Sequence, residues 1–328
     1  MKQWFQMGLR QLTKKEINTL NHPYSIPMST SNSRIQIVVI VLFTALGFTS
    51  LLAQNTQVYV SAHPDDWQLF MNPNAYNDLE NPDNKVIFLH TTAGDAGCGM
   101  GCTSYYLARE EGSLRAIRFM CNVINNQLKQ GDSMNKTHVL INGHLILRYS
   151  YANAVAYFLR LPDGNYTGVG YPIHNHESLK YFYEGATPTL STIDKSTAYQ
   201  SLDDLVTTIR DLLNYEMNST GQISLNIAET NPQRNPEDHS DHLTSSFIMQ
   251  KVANRLALKS VRLYEEYATN QKPINVFENA FLLCAGTWGA TASGLSDHFH
   301  DSTWNEGHNV WIGRQYFRDV LLSDLKKE

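Results

Sequence analysis

The chain has 328 residues, 42% of them hydrophobic, 11% aromatic and 17% charged, which excludes a disordered tail, a collagen, a disulfide mini-protein and a multi-span membrane protein. Lys and Arg number 26 against 31 Asp and Glu, a formal net charge of -5. With no long basic run, a nucleic-acid backbone is excluded as the main partner, because such binding rests on clustered cations.

In chain order, the first feature is an uncharged apolar run from Ile35 to Ala53, preceded by Arg34 and followed by polar Gln54-Asn55-Thr56. A positive flank, an apolar stretch and a small residue have the build of a secretory signal, with cleavage expected near Ala53. The run is also just long enough to act as an uncleaved membrane anchor. Either way the rest of the chain is expected to be exported, to the periplasm or beyond, with membrane contact only through this segment. A start at Met28 would give a compact leader, Met28 to Arg34, ahead of the run. The chain thus divides into an extension, residues 1–53, and a single domain, residues 54–328. About 275 residues suit one elaborated α/β domain better than two.

Gln57–Ser61 and Lys85–Thr91 are short β-rich runs, apolar on both faces, as buried parallel strands are. Leu107, Leu114, Ile117, Val123 and Ile124 recur at helical spacing between Ser104 and Asn126, and His138–Asn142 reads as a third strand. From Arg148 to Tyr199 the chain carries eight tyrosines with glycines and prolines. This stretch, about 148–200, is expected to be an irregular insertion, either a layer packed by amphipathic tyrosines or a substrate rim. Ser201 is placed as an N-cap, with Asp203 and Asp204 in the first turn and a stripe of Leu202, Leu205, Val206, Ile209, Leu212 and Leu213. Gln222–Ala228 alternates as a strand, Leu243–Tyr267 is expected to be helical, and the segment from Pro273 onward shows no clear period. Strands alternating with helices indicate an α/β sandwich around a mostly parallel sheet.

Of four cysteines, Cys98 and Cys102 lie close enough in sequence to close a small ring, leaving Cys121 and Cys284. Export permits disulfides, and four cysteines allow three pairings. A Cys-x3-Cys metal site is the alternative, but no second Cys/His pair lies nearby.

The chemistry concentrates in two places. Ala62-His63-Pro64-Asp65-Asp66 follows the first strand, and the loop after a strand's carboxyl end is where α/β sheets bind ligands. Asp238-His239-Ser240-Asp241-His242 follows the strand ending at Ala228 and opens a helix, where His239 and His242 would share one face. The two loops can converge over the sheet. His174, His176, His298, His300 and His308 either line a rim or bind metal, or are exposed or packed, which is expected for most of them.

Ala62-His-Pro-Asp-Asp66, Thr92-Ala-Gly-Asp-Ala-Gly97, the helix opening at Ala108-Arg-Glu and His239-Ser-Asp-His242 together resemble the LmbE/PIG-L family of zinc-dependent N-deacetylases. The resemblance spans roughly Val58 to Tyr267. Two departures stand out: Ser240 where the family usually has Pro, and Gly112 where it has a second helix carboxylate. The resemblance implies a three-layer α/β sandwich with a mostly parallel, Rossmann-like sheet. It further implies Zn2+ held by His63, Asp66 and His242, Asp65 as general base, and His239 as the residue that stabilises the oxyanion. Asp95 and Arg109 match substrate-binding positions, although Asp95 is equally a turn aspartate. Asp241 either orients one of the histidines or is a solvated helix-start residue. The substrate so implied is a small molecule or glycan carrying an N-acetyl amino sugar such as N-acetylglucosamine. Two alternatives stay open: a deacylase of another amide or ester, and a non-catalytic carbohydrate-binding protein on the same fold. Iron can occupy similar His/Asp sites.

Overall fold

The computed structural model describes residues 54–125, 133–217 and 221–321. The apolar run Ile35–Ala53 and the start at Met28 lie outside the described residues. No helix among the described residues is long and apolar enough to cross a membrane.

β1 (Asn55–Ser61) leads through α1 (Asp66–Phe70) and α2 (Asn74–Glu80) to β2 (Asn84–Thr92). α3 (Tyr105–Ile124) is followed by β3 (Asn135–Ile141), β4 (His144–Tyr151) and β5 (Ala154–Leu161). Then come α4 (Leu179–Tyr183), the small hairpin of β6 (Leu190–Ser191) and β7 (Ala198–Tyr199), α5 (Leu202–Glu216) and β8 (Ile223–Ala228). The chain continues as α6 (Ser240–Ala253), β9 (Leu258–Glu265), α7 (Glu278–Asp297), α8 (Glu306–Asn309) and β10 (Tyr316–Val320).

Eight strands form one sheet in the order β10-β9-β8-β1-β2-β5-β4-β3. The five from β9 to β5 are mutually parallel, while β10, β4 and β3 join antiparallel. Alternation along the strands builds a core on each face. Val58, Val60, Ile87, Leu89, Tyr157 and Leu159 point to the side covered by α5 and α6. Tyr59, Val86, Phe88, Ala156 and Phe158 point to the side covered by α1, α2, α3 and α7. The result is the expected three-layer α/β sandwich around a mostly parallel sheet. β2 and β8 flank β1 on opposite sides, so the chain reverses its direction of travel across the sheet at β1, which places a crevice at the carboxyl ends of these strands.

α5 begins as its sequence predicts: Ser201 Oγ accepts from Asp204 N at 3.1 Å, and the apolar stripe from Leu205 to Leu213 is buried. Three expectations are corrected. The aromatic stretch is not irregular from Arg148, because Arg148–Tyr151 belongs to β4 and Ala154–Leu161 is β5, a central strand; only the part beyond Leu161 is largely loop. Tyrosine suits a pleated surface, and Tyr149, Tyr151 and Tyr157 sit in strands for that reason. The helix after Leu243 stops at Ala253, and Leu258–Glu265 pairs in parallel with β8. The C-terminal segment contains a helix of 20 residues, α7. Its Gly and Ala content hides an apolar stripe but permits close crossing of α3. A Cβ at Gly112 would lie 2.8 Å from Thr291 O, and one at Gly294 would strike the backbone of Gly112. Gly112 therefore stands where this crossing leaves no room for a carboxylate side chain.

Candidate active site

Five loops at the carboxyl ends of β1, β2, β5, β8 and β9 converge on one place. After β1, the chain turns sharply at His63-Pro64-Asp65 into α1, and His63 N donates to Asp66 Oδ2 at 2.6 Å. That bond leaves Asp66 Oδ1 facing the crevice. From α6, His242 Nε2 comes within 3.1 Å of His63 Nδ1 and 3.3 Å of Asp66 Oδ1, and His63 Nδ1 is 3.5 Å from Asp66 Oδ1. Ligand atoms of a tetrahedral zinc site with bonds of about 2.0–2.1 Å are separated by about 3.3–3.4 Å. The three donors already have that spacing, so the residues fit a zinc ion.

Each imidazole is backed by carboxylates. His242 Nδ1 lies 2.9 Å from Asp238 Oδ1 and 2.6 Å from Glu266 Oε2, and His63 Nε2 lies 3.4 Å from Asp241 Oδ2 and 4.0 Å from Asp163 Oδ2. With a metal bound, the carboxylates at His242 Nδ1 would keep its proton there and leave Nε2 as the ligand; His63 Nε2 has carboxylates nearby but no hydrogen-bond partner among the described residues. Asp241 is fully buried and also accepts from Gly164 N at 2.8 Å, so it is a histidine-orienting residue and not a solvated one. The surplus of negative charge shows in the acid–base behaviour. Burial alone would lower the basicity of His63, yet Asp66 and Asp241 raise its pKa to about 10. His242 is likewise raised well above its ordinary value, against burial, by Asp66, Glu266 and Asp238. Burial pushes Glu266 up to about 8. The pocket demands positive charge where the three donors meet.

His239 differs from the other two. It is the N-cap of α6, and its Nδ1 accepts from Asp241 N at 3.1 Å. With that lone pair engaged, the neutral ring carries its proton on Nε2 and acts as a donor, not as a metal ligand. Burial, with the charges of His63 and His242, drives its pKa far down and keeps it neutral. His63, His239 and His242 together have donor atoms within 4.8 Å of one another; the tautomer sets His239 apart.

Asp65 lines the same cleft, of about 340 Å³, and its Oδ1 is paired with Arg109, which also donates to Gly94 O at 2.7 Å. The other oxygen of this cleft-lining carboxylate, Oδ2, makes no side-chain hydrogen bond among the described residues. Tyr105, Tyr171, Tyr267 and Trp311 supply aromatic walls. His308 lines the cleft, the rim position open to it in the sequence, and stacks on Trp288 at 5.6 Å. Asp95 is not among the residues lining the cleft. It is fully buried, accepting from Gly99 N at 2.6 Å and Asp163 N at 3.1 Å, and it meets His174 Nε2 at 2.8 Å. Its carboxylate clamps the loop after β2, which is the turn role open to an aspartate at this position. That loop is closed by a Cys98–Cys102 disulfide, while Cys121 and Cys284 are buried thiols.

Among solved structures, the chain is similar to N,N'-diacetylchitobiose deacetylase from Pyrococcus horikoshii, at 14% identity over 90% of this chain and 96% of that one, with a TM-score of 0.43. It is also similar to the zinc-inhibited form of teicoplanin deacetylase Orf2, at 13% identity over 74% and 85% of the two chains, with a TM-score of 0.38. Both are deacetylases. No protein-family model and no curated protein matches the chain.

The sequence motifs do not single out Asp163, Glu266 or Trp311. Asp163 follows β5 and Glu266 follows β9, the two strands whose sequences suggest other structure. With Ala154–Leu161 and Leu258–Glu265 recognised as strands, the strand-end rule would mark both carboxylates.

Proposed function

We propose that the chain is an exported zinc-dependent hydrolase that removes the acetyl group from an N-acetyl amino sugar or its conjugate. The observation that carries this reading is the tetrahedral spacing of His63 Nδ1, Asp66 Oδ1 and His242 Nε2, at 3.1 to 3.5 Å, beside a carboxylate and a neutral imidazole donor. The reaction itself comes from the resemblance of these motifs to the LmbE/PIG-L deacetylases.

His63, Asp66 and His242 would hold a zinc ion, which would supply Lewis acidity toward a water and a carbonyl oxygen. Asp65 Oδ2 accepts the proton of the attacking water, while Arg109 on Oδ1 holds the carboxylate in place. His239 Nε2–H donates to the amide oxygen as negative charge develops there. The C–N bond then breaks, Asp65 returns the proton to the departing amine, and acetate and a free amino sugar result. An intact base and donor at the cleft favour turnover over mere binding.

Release of acetate and of a new primary amine from N-acetylglucosamine conjugates is the direct assay. Activity should vanish on removal of metal by a chelator and return with Zn2+. Asp65→Asn should lower kcat by about 10²–10⁴-fold while zinc stays bound. Activity that survives complete metal removal, or an Asp65→Asn protein with unchanged kcat, would overturn the reading.

A further inference from the structure

His308 lies on α8, in the segment beyond Tyr267 that the motif resemblance does not reach. It lines the cleft beside Gly307 and Trp311, and it has no part in the steps assigned to Asp65, Arg109 and His239. Its tautomer is fixed by the turn that starts α8. Asn305 Nδ2 donates to Ser302 O at 3.1 Å, which settles the orientation of that amide and leaves Oδ1 as the acceptor. Oδ1 then accepts twice from one residue, from His308 N at 3.2 Å and from His308 Nδ1 at 3.0 Å. An amide oxygen only accepts, so the imidazole proton is on Nδ1. Nε2 keeps its lone pair and has no hydrogen-bond partner among the described residues. Burial lowers the pKa of His308, so the ring is neutral at neutral pH. Such a ring cannot give a proton from Nε2; it accepts there.

The ring is held in place by indoles. It stacks on Trp288 of α7 with centroids 5.6 Å apart at 27°, and Trp311 meets it edge-on at 6.2 Å. Trp288 belongs to the core on the side of the sheet covered by α3 and α7. His239 opens α6, which covers the other face. The cleft thus takes a neutral donor, His239 Nε2–H, from one layer and a neutral acceptor, His308 Nε2, from the other. A secondary amide in its planar trans form directs its C=O and N–H to opposite sides. It can satisfy both histidines at once, whereas an ester of the same shape has no N–H and leaves His308 unpaired.

We propose that His308 is a specificity-determining residue whose Nε2 accepts the N–H of the scissile acetamide, so that the cleft selects amides over esters. An N–H held in this way leaves the lone pair that develops on the nitrogen free for the proton from Asp65. The proposal rests on the deacetylase reading of the cleft, and it is tested so that the two can fail separately.

Acetate release is measured on the methyl glycosides of N-acetylglucosamine and of 2-O-acetylglucose, which differ at the scissile linkage. His308→Phe keeps a ring on Trp288 and removes the acceptor, so the ratio of kcat/KM on the amide to that on the ester should fall about ten-fold from the zinc-loaded wild type. His308→Gln, whose side-chain oxygen can accept, should recover part of that ratio. Equal losses on the two substrates mean that the ring only packs, which overturns the proposal and leaves the deacetylase reading standing. Nitrogen NMR of the histidine rings in the zinc-loaded Asp65→Asn protein is a second readout without turnover. His308 should show a protonated Nδ1 and a bare Nε2, and the Nε2 signal should shift on addition of the amide glycoside and not of the ester. A proton on Nε2, or no shift, overturns the proposal. Failure of the wild type to release acetate from either glycoside overturns the deacetylase reading, and the nitrogen signals then decide the role of His308 by themselves.

Discussion

His242 is held from behind by two carboxylates, Asp238 and Glu266, both within 3 Å of the same ring nitrogen. Removing the charge of one should loosen the ring and lower the basicity of Nε2. Glu266→Gln is accordingly expected to weaken zinc binding by about 10–100-fold, as read by competition with a chelator; unchanged affinity would show that Asp238 alone suffices. A second histidine works by staying neutral. His90 is fully buried on β2, with Nδ1 3.0 Å from Tyr157 O and Nε2 3.0 Å from Ser113 Oγ, and it stacks on Phe158 at 4.4 Å. Burial lowers its pKa from 6.5 to about 4. Below pH 6.5 the unfolded chain gains a proton that the folded protein refuses until about pH 4. The contribution of His90 is thus complete above pH 6.5 and is lost as pH falls through that window, by up to about 3 kcal/mol. Urea unfolding at pH 7 and pH 4.5 should show a larger loss for wild type than for His90→Gln, and equal losses would refute this.

At the scale of elements, the loop after β2 is built under constraint. Ala96, Cys102, Thr103 and Ser104 all take positive φ, and Gly97, also at positive φ, lies against the ring of Tyr171. The Cys98–Cys102 bridge restricts this loop in the unfolded chain, a contribution of about 2 kcal/mol for so short a ring. Cys98→Ser/Cys102→Ser should lower stability by that order and raise KM more than it lowers kcat, because Tyr171, which lines the cleft, packs on Gly97 next to the ring, whereas Arg109, the partner of Asp65, meets the loop only at Gly94, outside the ring. Thiol titration of the denatured, unreduced protein should find only Cys121 and Cys284; four reactive thiols would exclude the bridge. The elements legible in the sequence are those with an unmixed signal: the apolar runs of β1 and β2, and α5 with its cap and stripe. β5 is obscured because tyrosines next to a glycine-rich loop look irregular. β9 is obscured because Ile248, Val252, Leu256 and Leu263 continue a helical spacing across the Ala253 boundary. α7 is obscured because close crossing of α3 selects small residues at the positions where a stripe is sought. His63, Asp65, Asp66, His239 and His242 stand out as compact motifs, whereas the carboxylates behind them lie singly at the ends of strands.

For the whole molecule, the arrangement of ligands matters more than their number. His63 and Asp66 follow β1, His242 lies on α6 beyond β8, and the carboxylates that orient the histidines come from the loops after β5 and β9 and from the start of α6. A metal ion at this point would tie together loops from both sides of the place where the strand order reverses, and such a site exists only in the folded chain. Without metal, mutual repulsion among Asp66, Asp163, Asp238, Asp241 and Glu266 is relieved by protons on the imidazoles and on Glu266. Free Zn2+ at about a thousand times its dissociation constant should add about 4 kcal/mol to stability. In a domain of this size each kcal/mol moves Tm by about 2–4 °C, so Zn2+ should raise Tm by about 8–16 °C over the chelated protein. His242→Ala should remove most of that difference and, because the imidazole offsets the carboxylates behind it, should also lower the chelated Tm. A Tm indifferent to zinc in the wild type would mean that the three donors, despite their spacing, do not hold a metal.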